Sequence, residues 1–313
     1  MSSKSSAASA GTSAGASEPA PSAATSSRSE PAVDPEKVAS PDLAREDMVR
    51  YTGRGYTTIR HVFVQKHSGT DRSSTLARLL RNKKRRALIL YLMLLTLWDP
   101  KREPLRSEVW LRLLDVAGGS LTWSPSSLSE AWTHLVDMEL IERKRVKRMA
   151  HLVPRREDAR KAYGRPDGKK RIDRYFQLPG SFWTEKWFDK LSMPALCMLL
   201  IILKETNDDN AEIHLTHEQV EEWYGISASS AATGFAELED VGLVTIRRDQ
   251  IEAGLSLNGY TWHLYYRLND DFSTTARAQA RDDAMKGGKA RAAARGRPPR
   301  AGSSGPPTRS LAP

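Results

Sequence analysis

The 313-residue sequence predicts a helix-dominated α+β fold in which one unit is used twice, between disordered N- and C-terminal tails. Three observations carry this expectation. The apolar run at residues 87–95 overlays residues 195–203, and further on Trp123, Ser124, Leu128, Trp132 and Leu135 fall on Ile226, Ser227, Ala231, Phe235 and Leu238. Self-similarity of this kind marks repeated supersecondary units. The ends, residues 1–45 and 273–313, are mostly small and polar, with few aliphatic side chains to offset the entropy of ordering.

The elements follow in order. Residues 46–75 read as an arm or linker, with residues 57–66 alternating enough for an exposed strand. Residues 76–178 form the first repeat and residues 179–272 the second, joined near residues 178–187. Each opens on a buried helix, at 87–95 and 195–203. Each then has an amphipathic third helix whose N-cap is a serine, Ser124 or Ser227, with Pro125 at the first helical position in the first repeat. Gly234, in the middle of the second of these helices, costs about 1 kcal/mol relative to Ala. A strand follows at residues 141–146 or 244–246, and the return strand is expected at residues 175–178 or 265–268. That pairing makes the first hairpin thirteen residues longer than the second.

Charge is uneven along the chain. Residues 142–171 hold thirteen lysines and arginines against four acids, a net of +9 within a total of +10. Residues 76–86 add +6 without an acid, whereas residues 172–272 carry −10. A cationic hairpin beside an exposed helix suits the phosphates of duplex DNA, because each neutralised phosphate releases counterions.

Two helices, a turn, a third helix and a two-stranded hairpin make the winged helix-turn-helix plan. The stretch Leu215, Thr216, Val220, Trp223, Tyr224, Gly225, Ile226, Ser227 and then Val241, Gly242, Leu243 resembles bacterial winged-helix regulators, whose second helix ends on a glycine turn followed by an apolar residue and a capping serine. Runs such as residues 53–58 and 221–225 resemble a group of bacterial helix-turn-helix DNA binders, and two winged helices in tandem are similar to plasmid replication initiators. The resemblance implies that the third helix enters the major groove while the hairpin follows the backbone.

On that footing the first repeat offers Ser126, Ser127, Glu130 and Thr133 on its third helix. Its hairpin offers Lys144, Arg145, Lys147, Arg148, Arg155, Arg156, Lys169, Lys170 and Arg171. The acidic second repeat offers Ser229, Ser230, Arg247 and Arg248, and is expected to meet a second copy of the chain or another protein. Lys83, Lys84, Arg85 and Arg86 precede the first buried helix, to touch phosphate or to keep that end soluble. The tail run from Arg295 through Gly296 and Arg297 to Arg300 resembles the core of an AT-hook, which lies in a narrow minor groove.

Other classes find less support. The longest apolar run, residues 87–98, falls short of the ~20 residues that span a bilayer, so a cytoplasmic, nucleoid-associated protein without a membrane contact is expected. No Walker loop occurs, and the single cysteine, Cys197, sits in an apolar run. His214 and His217 lack the further ligands of a zinc site, and the acids near Asp137 and Glu237 recur as equivalent positions of the repeat. The expectation is therefore a noncatalytic double-stranded DNA binder without metal or cofactor. Three roles stay open: transcriptional regulator, replication initiator of a plasmid or mobile element, and nucleoid architectural protein.

Overall fold

Ser40 starts the described fold. Its hydroxyl accepts the Leu43 N–H at 3.2 Å and Pro41 fixes the first φ, so α1 (Pro41–Thr52) begins here and ends at Gly53 in the left-handed region, φ 64°. The computed structural model describes residues 34, 37–66, 74–146, 149–207 and 210–295. It is an α+β fold with small antiparallel sheets: β1 (Tyr56–Arg60) with β4 (Tyr175–Pro179), β2 (Ile141–Val146) with β3 (Met149–Pro154), and a three-stranded sheet of β5 (Glu212–His214), β7 (Tyr260–Leu268) and β6 (Val244–Glu252) in that order.

Residues 41–66, before the first repeat, are neither tail nor exposed arm. On α1, Arg45 is 1% exposed and donates to the carbonyls of Leu113 at 3.1 Å and Asp115 at 2.7 Å, while pairing with Asp42. β1 is buried along its whole length and runs into a short helix, α2 (His61–Val64). The expected tail is thus corrected over residues 41–45, and the expected arm over residues 46–66. Arg45 is satisfied by groups far along the chain as well as by its neighbour Asp42.

The first repeat then runs α3 (Thr75–Arg81), α4 (Arg85–Leu97), α5 (Ser107–Leu114), α6 (Pro125–Asp137), β2 and β3. α4 is buried from Ala87 through Leu97, so other elements surround it on every side. Trp110 of α5 meets Trp132 of α6 edge to face at 5.1 Å. One pairing differs from expectation. β2 returns at once through β3, from Ile141 opposite Pro154 to Val146 opposite Met149, so residues 175–178 are not its partner. Those residues lie in β4, which pairs with β1 from Tyr56 opposite Pro179 to Arg60 opposite Tyr175.

The second repeat opens with two short helices, α7 (Ser181–Thr184) and α8 (Trp187–Lys190). Phe182, Trp183 and Phe188 are fully buried here, so the expected joint between domains is part of the core. The order continues α9 (Met193–Glu205), β5, α10 (His217–Tyr224), α11 (Ala228–Asp240), β6 and β7. Local chemistry sets these boundaries. Thr216 and Gln219 form a capping box at the start of α10, and Gly225 ends it at φ 68°. Gly234 allows α11 to approach α9: a Cβ there would lie 2.6 Å from the Pro194 carbonyl oxygen.

α9 packs on α11 of its own repeat and on α2, α3 and β4 of the preceding chain, which gives the repeats a common core. The described residues from 39 onward make one compact unit. The expected tail from residue 273 is also corrected over residues 274–295, which form α12 (Thr274–Arg295). Arg277 anchors it, buried and donating to the Thr206 hydroxyl at 2.7 Å and the Leu203 carbonyl at 3.2 Å. Arg295 is the last residue of α12, and Arg297 with the rest of the hook-like run lies outside the described residues. Among the described residues no helix is long and apolar enough to cross a membrane.

Candidate nucleic-acid interface

The start of α6 is built from its own serines. The Ser124 hydroxyl accepts the Ser127 N–H at 3.2 Å and the Ser127 hydroxyl accepts the Ser124 N–H at 2.9 Å. Ser127 is therefore engaged in capping, while Ser126 is exposed, 2.8 Å from the Ser124 hydroxyl. Further along the solvent face, Thr133 is exposed and its hydroxyl donates to the Ser129 carbonyl at 3.0 Å. Glu130 Oε1 lies 3.1 Å from His134 Nε2, and Lys84 Nζ lies 2.7 Å from the same nitrogen.

That last contact ties α6 to the turn between α3 and α4. Lys83 occupies the left-handed region there, φ 54°, and its N–H reaches back to the Leu80 carbonyl at 2.9 Å. Lys83 lines two hollows. One, of about 250 Å³, has Lys84, Arg85 and Arg86 on one side and Ser127, Glu130 and His134 of α6 on the other. The other, of about 770 Å³, includes Arg81, Glu221, Gly225, Ser227 and Ser230 at the start of α11. A single basic turn thus sits between the third helices of both repeats.

The four cations of that turn divide their work. Arg85 reaches the Asp189 carbonyl at 2.5 Å and the Ser120 hydroxyl at 3.1 Å, and burial pulls its guanidinium below the usual range. Arg86 donates to the Thr122 carbonyl at 3.1 Å and lies over Trp123. Both hold the loop that leads into α6. Lys83 is exposed and meets no carboxylate among the described residues, so it and Lys84 carry the turn's outward charge. An acid-free run before a buried helix is the only sequence signal of this role.

The hairpin of the first repeat is smaller than expected. Lys144 and Arg145 are exposed on β2, with Lys144 3.1 Å from Glu142; Lys147 and Arg148 lie outside the described residues. Arg155 and Arg156 are not on a wing. Arg156 is 8% exposed and paired with Asp158, and Arg155 is half-buried, 3.9 Å from Glu139. The cause is a turn at Ala159, φ 64°, and a clamp from β1. There Arg60 pairs with Glu157 and Asp173, both at 2.8 Å, and donates to the Gly164 carbonyl at 2.6 Å. Burial pulls the Arg60 guanidinium down, but Glu157 and Asp173 more than offset it, so it stays charged. Lys169, Lys170 and Arg171 are exposed on this clamped segment rather than on a hairpin.

The second repeat presents less positive charge. At the start of α11, Ser229 is exposed, and the Ser227 hydroxyl accepts the Ser230 N–H at 3.3 Å. The Ala228 N–H already donates to the Glu221 carboxylate at 3.1 Å, so a phosphate approaching this end meets a resident anion. Arg247 pairs with Asp249 and with Glu212 at 3.2 Å, and lies 4.2 Å over the Tyr265 ring. Arg248 is held in two hydrogen bonds by Glu239, at 2.7 and 2.9 Å. The neighbouring carboxylates raise both guanidinium pKa values. His214 stacks on His263 at 4.3 Å, whereas His217 lies against Phe235.

Compared with known proteins, the chain matches no family model, no curated protein and no solved structure.

Proposed function

We propose that the chain binds double-stranded DNA without catalysis, as a transcriptional regulator, through two winged helix-turn-helix units that share a core. The observation that carries the reading is the basic turn at Lys83, set between α6 and the start of α11. With α6 in a major groove, Ser126 and Lys83 lie toward one flanking backbone, and Lys144 and Arg145 supply charge from the hairpin. Base readout is sparse. The Thr133 methyl suits a thymine methyl and Glu130 a cytosine amine, but no Arg or Asn stands on this face.

Lys83, Lys84, Lys144 and Arg145 give about four phosphate contacts, and log affinity should fall against log salt with a slope of about −3.6. The test is fluorescence anisotropy of a labelled duplex across a salt series. Lys83→Ala with Lys84→Ala should weaken binding to every sequence and flatten the slope by about 1.8. Absence of binding in dilute buffer, or an unchanged slope in that variant, overturns the reading.

A further inference from the structure

The hairpin of the second repeat has a surface that DNA binding does not use. β6 and β7 pair for nine residues, from Val244 opposite Leu268 out to Glu252 opposite Tyr260. The root is core, with Val244, Tyr266 and Leu268 buried. Beyond it the hairpin leaves the body while remaining apolar: Ile251 is 39% exposed, Trp262 52%, and Leu255 and Leu257 fully. Tyr260 and Trp262 meet edge to face at 6.0 Å on the face they share with Gln250 and Glu252.

Its charge is wrong for phosphate. From residue 249 to residue 266 there is no Lys or Arg and there are two acids, whereas β2 of the first repeat exposes Arg143, Lys144 and Arg145 in succession. Its edge is open as well. In the order β5, β7, β6, the strand β6 is outermost, and β5 covers β7 only at Tyr265, Tyr266 and Arg267. β6 has no Pro and pairs with β7 without a bulge, and the charges on it, Arg247, Arg248, Asp249 and Glu252, are of both signs, so they repel a like strand less than a run of one sign would.

We infer that the β6–β7 hairpin is a self-association surface, where β6 pairs antiparallel with β6 of a second copy about a twofold axis to make one continuous sheet. What selects a second copy is charge order. Residues 247–252 read Arg247, Arg248, Asp249, Gln250, Ile251, Glu252: basic at one end and acidic at the other. An antiparallel copy of the same strand presents the opposite sign at each end. With the axis at Gln250, Arg248 stands opposite Glu252 of the other copy. Its present partner, Glu239, is a surface residue that salt screens. With the axis at Gln250 the tip leucines reach past Thr245 toward the root of the other hairpin, and an edge with two leucines buries less than the ~1,200 Å² at the low end of stable interfaces, so the dimer is weak and concentration-dependent.

Sedimentation velocity of the full chain without DNA, from about 1 to about 100 µM, tests this independently of the DNA reading. Wild type should shift from monomer to dimer across that range. Leu255→Asp with Leu257→Asp, at the solvent-exposed tip, should weaken the dimer at least tenfold while circular dichroism stays unchanged. Arg248→Glu and Glu252→Arg should each weaken it, and the two together should restore it. A monomer throughout, or a dimer indifferent to both sets of variants, overturns the inference. So does loss of duplex affinity in the leucine variant without any change in mass, since the tip would then be acting on DNA.

Discussion

Gly234→Ala sets two effects of known size against each other. In the middle of an exposed helix the substitution gains about 1 kcal/mol from propensity alone. Here the new Cβ would lie 2.6 Å from the Pro194 carbonyl oxygen, 2.8 Å from the Pro194 carbonyl carbon and 2.6 Å from Met198 Cγ. The Met198 side chain can swing aside. The Pro194 backbone cannot, because it is the first turn of α9 and moves only with that helix. Overpacking of this kind costs about 1–3 kcal/mol, and contact with backbone belongs at the upper end, so the net is a loss of about 1–2 kcal/mol. In a fold of this size that lowers Tm by roughly 3–6 °C. Urea denaturation followed by circular dichroism should show a lower midpoint at unchanged slope. Gly288→Ala, where nothing lies within 4 Å, isolates propensity and should not destabilise. If Gly234→Ala leaves the midpoint in place or raises it, the close approach of α11 to α9 is wrong.

Three further outcomes concern buried or ion-paired side chains. Arg60→Met strips Glu157 of its partner in a buried site and should cost about 3–5 kcal/mol; adding Glu157→Leu should recover part of that, and a loss under about 1 kcal/mol would exclude the clamp. Cys197 is fully buried and burial pushes its thiol up, so an aromatic disulfide reagent should label the native protein only at its unfolding rate and label it fully in guanidinium. Lys186 and Arg45 hold the Asp42 carboxyl below its usual range, and Arg248 does the same for Glu239. The unfolded chain then takes up these protons first, so their stabilisation is present above about pH 4.5 and lost as pH falls below about 4. Asp42→Asn should flatten Tm against pH in that window, and an unchanged curve would remove Asp42 from the account.

What could be read from the sequence was mostly local. The apolar runs of α4 and α9, the caps at Ser124, Thr216 and Ser227 and the turn at Gly225 each depend on neighbours within a few residues, and all stand where expected. Partners distant in sequence were not legible. Residues 175–178 alternate as a strand should, but alternation does not name the strand opposite, which is β1. The burial of Arg45, Arg60 and Arg156 was not legible either, because the acids and carbonyls that receive them come from other elements or from beyond a turn. Counting charge over residues 142–171 merged a two-stranded hairpin with a segment folded onto the body. The alanines of α12 favour a helix, but they stand in a composition shared with the Gly and Pro that follow, which masks the signal. For the candidate site, the serines of α6 and α11 were visible, while the place of Lys83 between them depends on how the repeats pack.

The pairing of β1 with β4 bears on how this chain can be dissected. A cut between residues 178 and 179 looks natural from the duplication, yet it severs β4 at its final residue and takes away α9, on which that strand rests. A fragment starting at residue 76 fares no better, since it leaves Tyr175–Pro179 without its mate and Glu157 without its counter-ion. Neither half is a removable cassette, and shortened versions intended to map activity to one repeat would report misfolding instead.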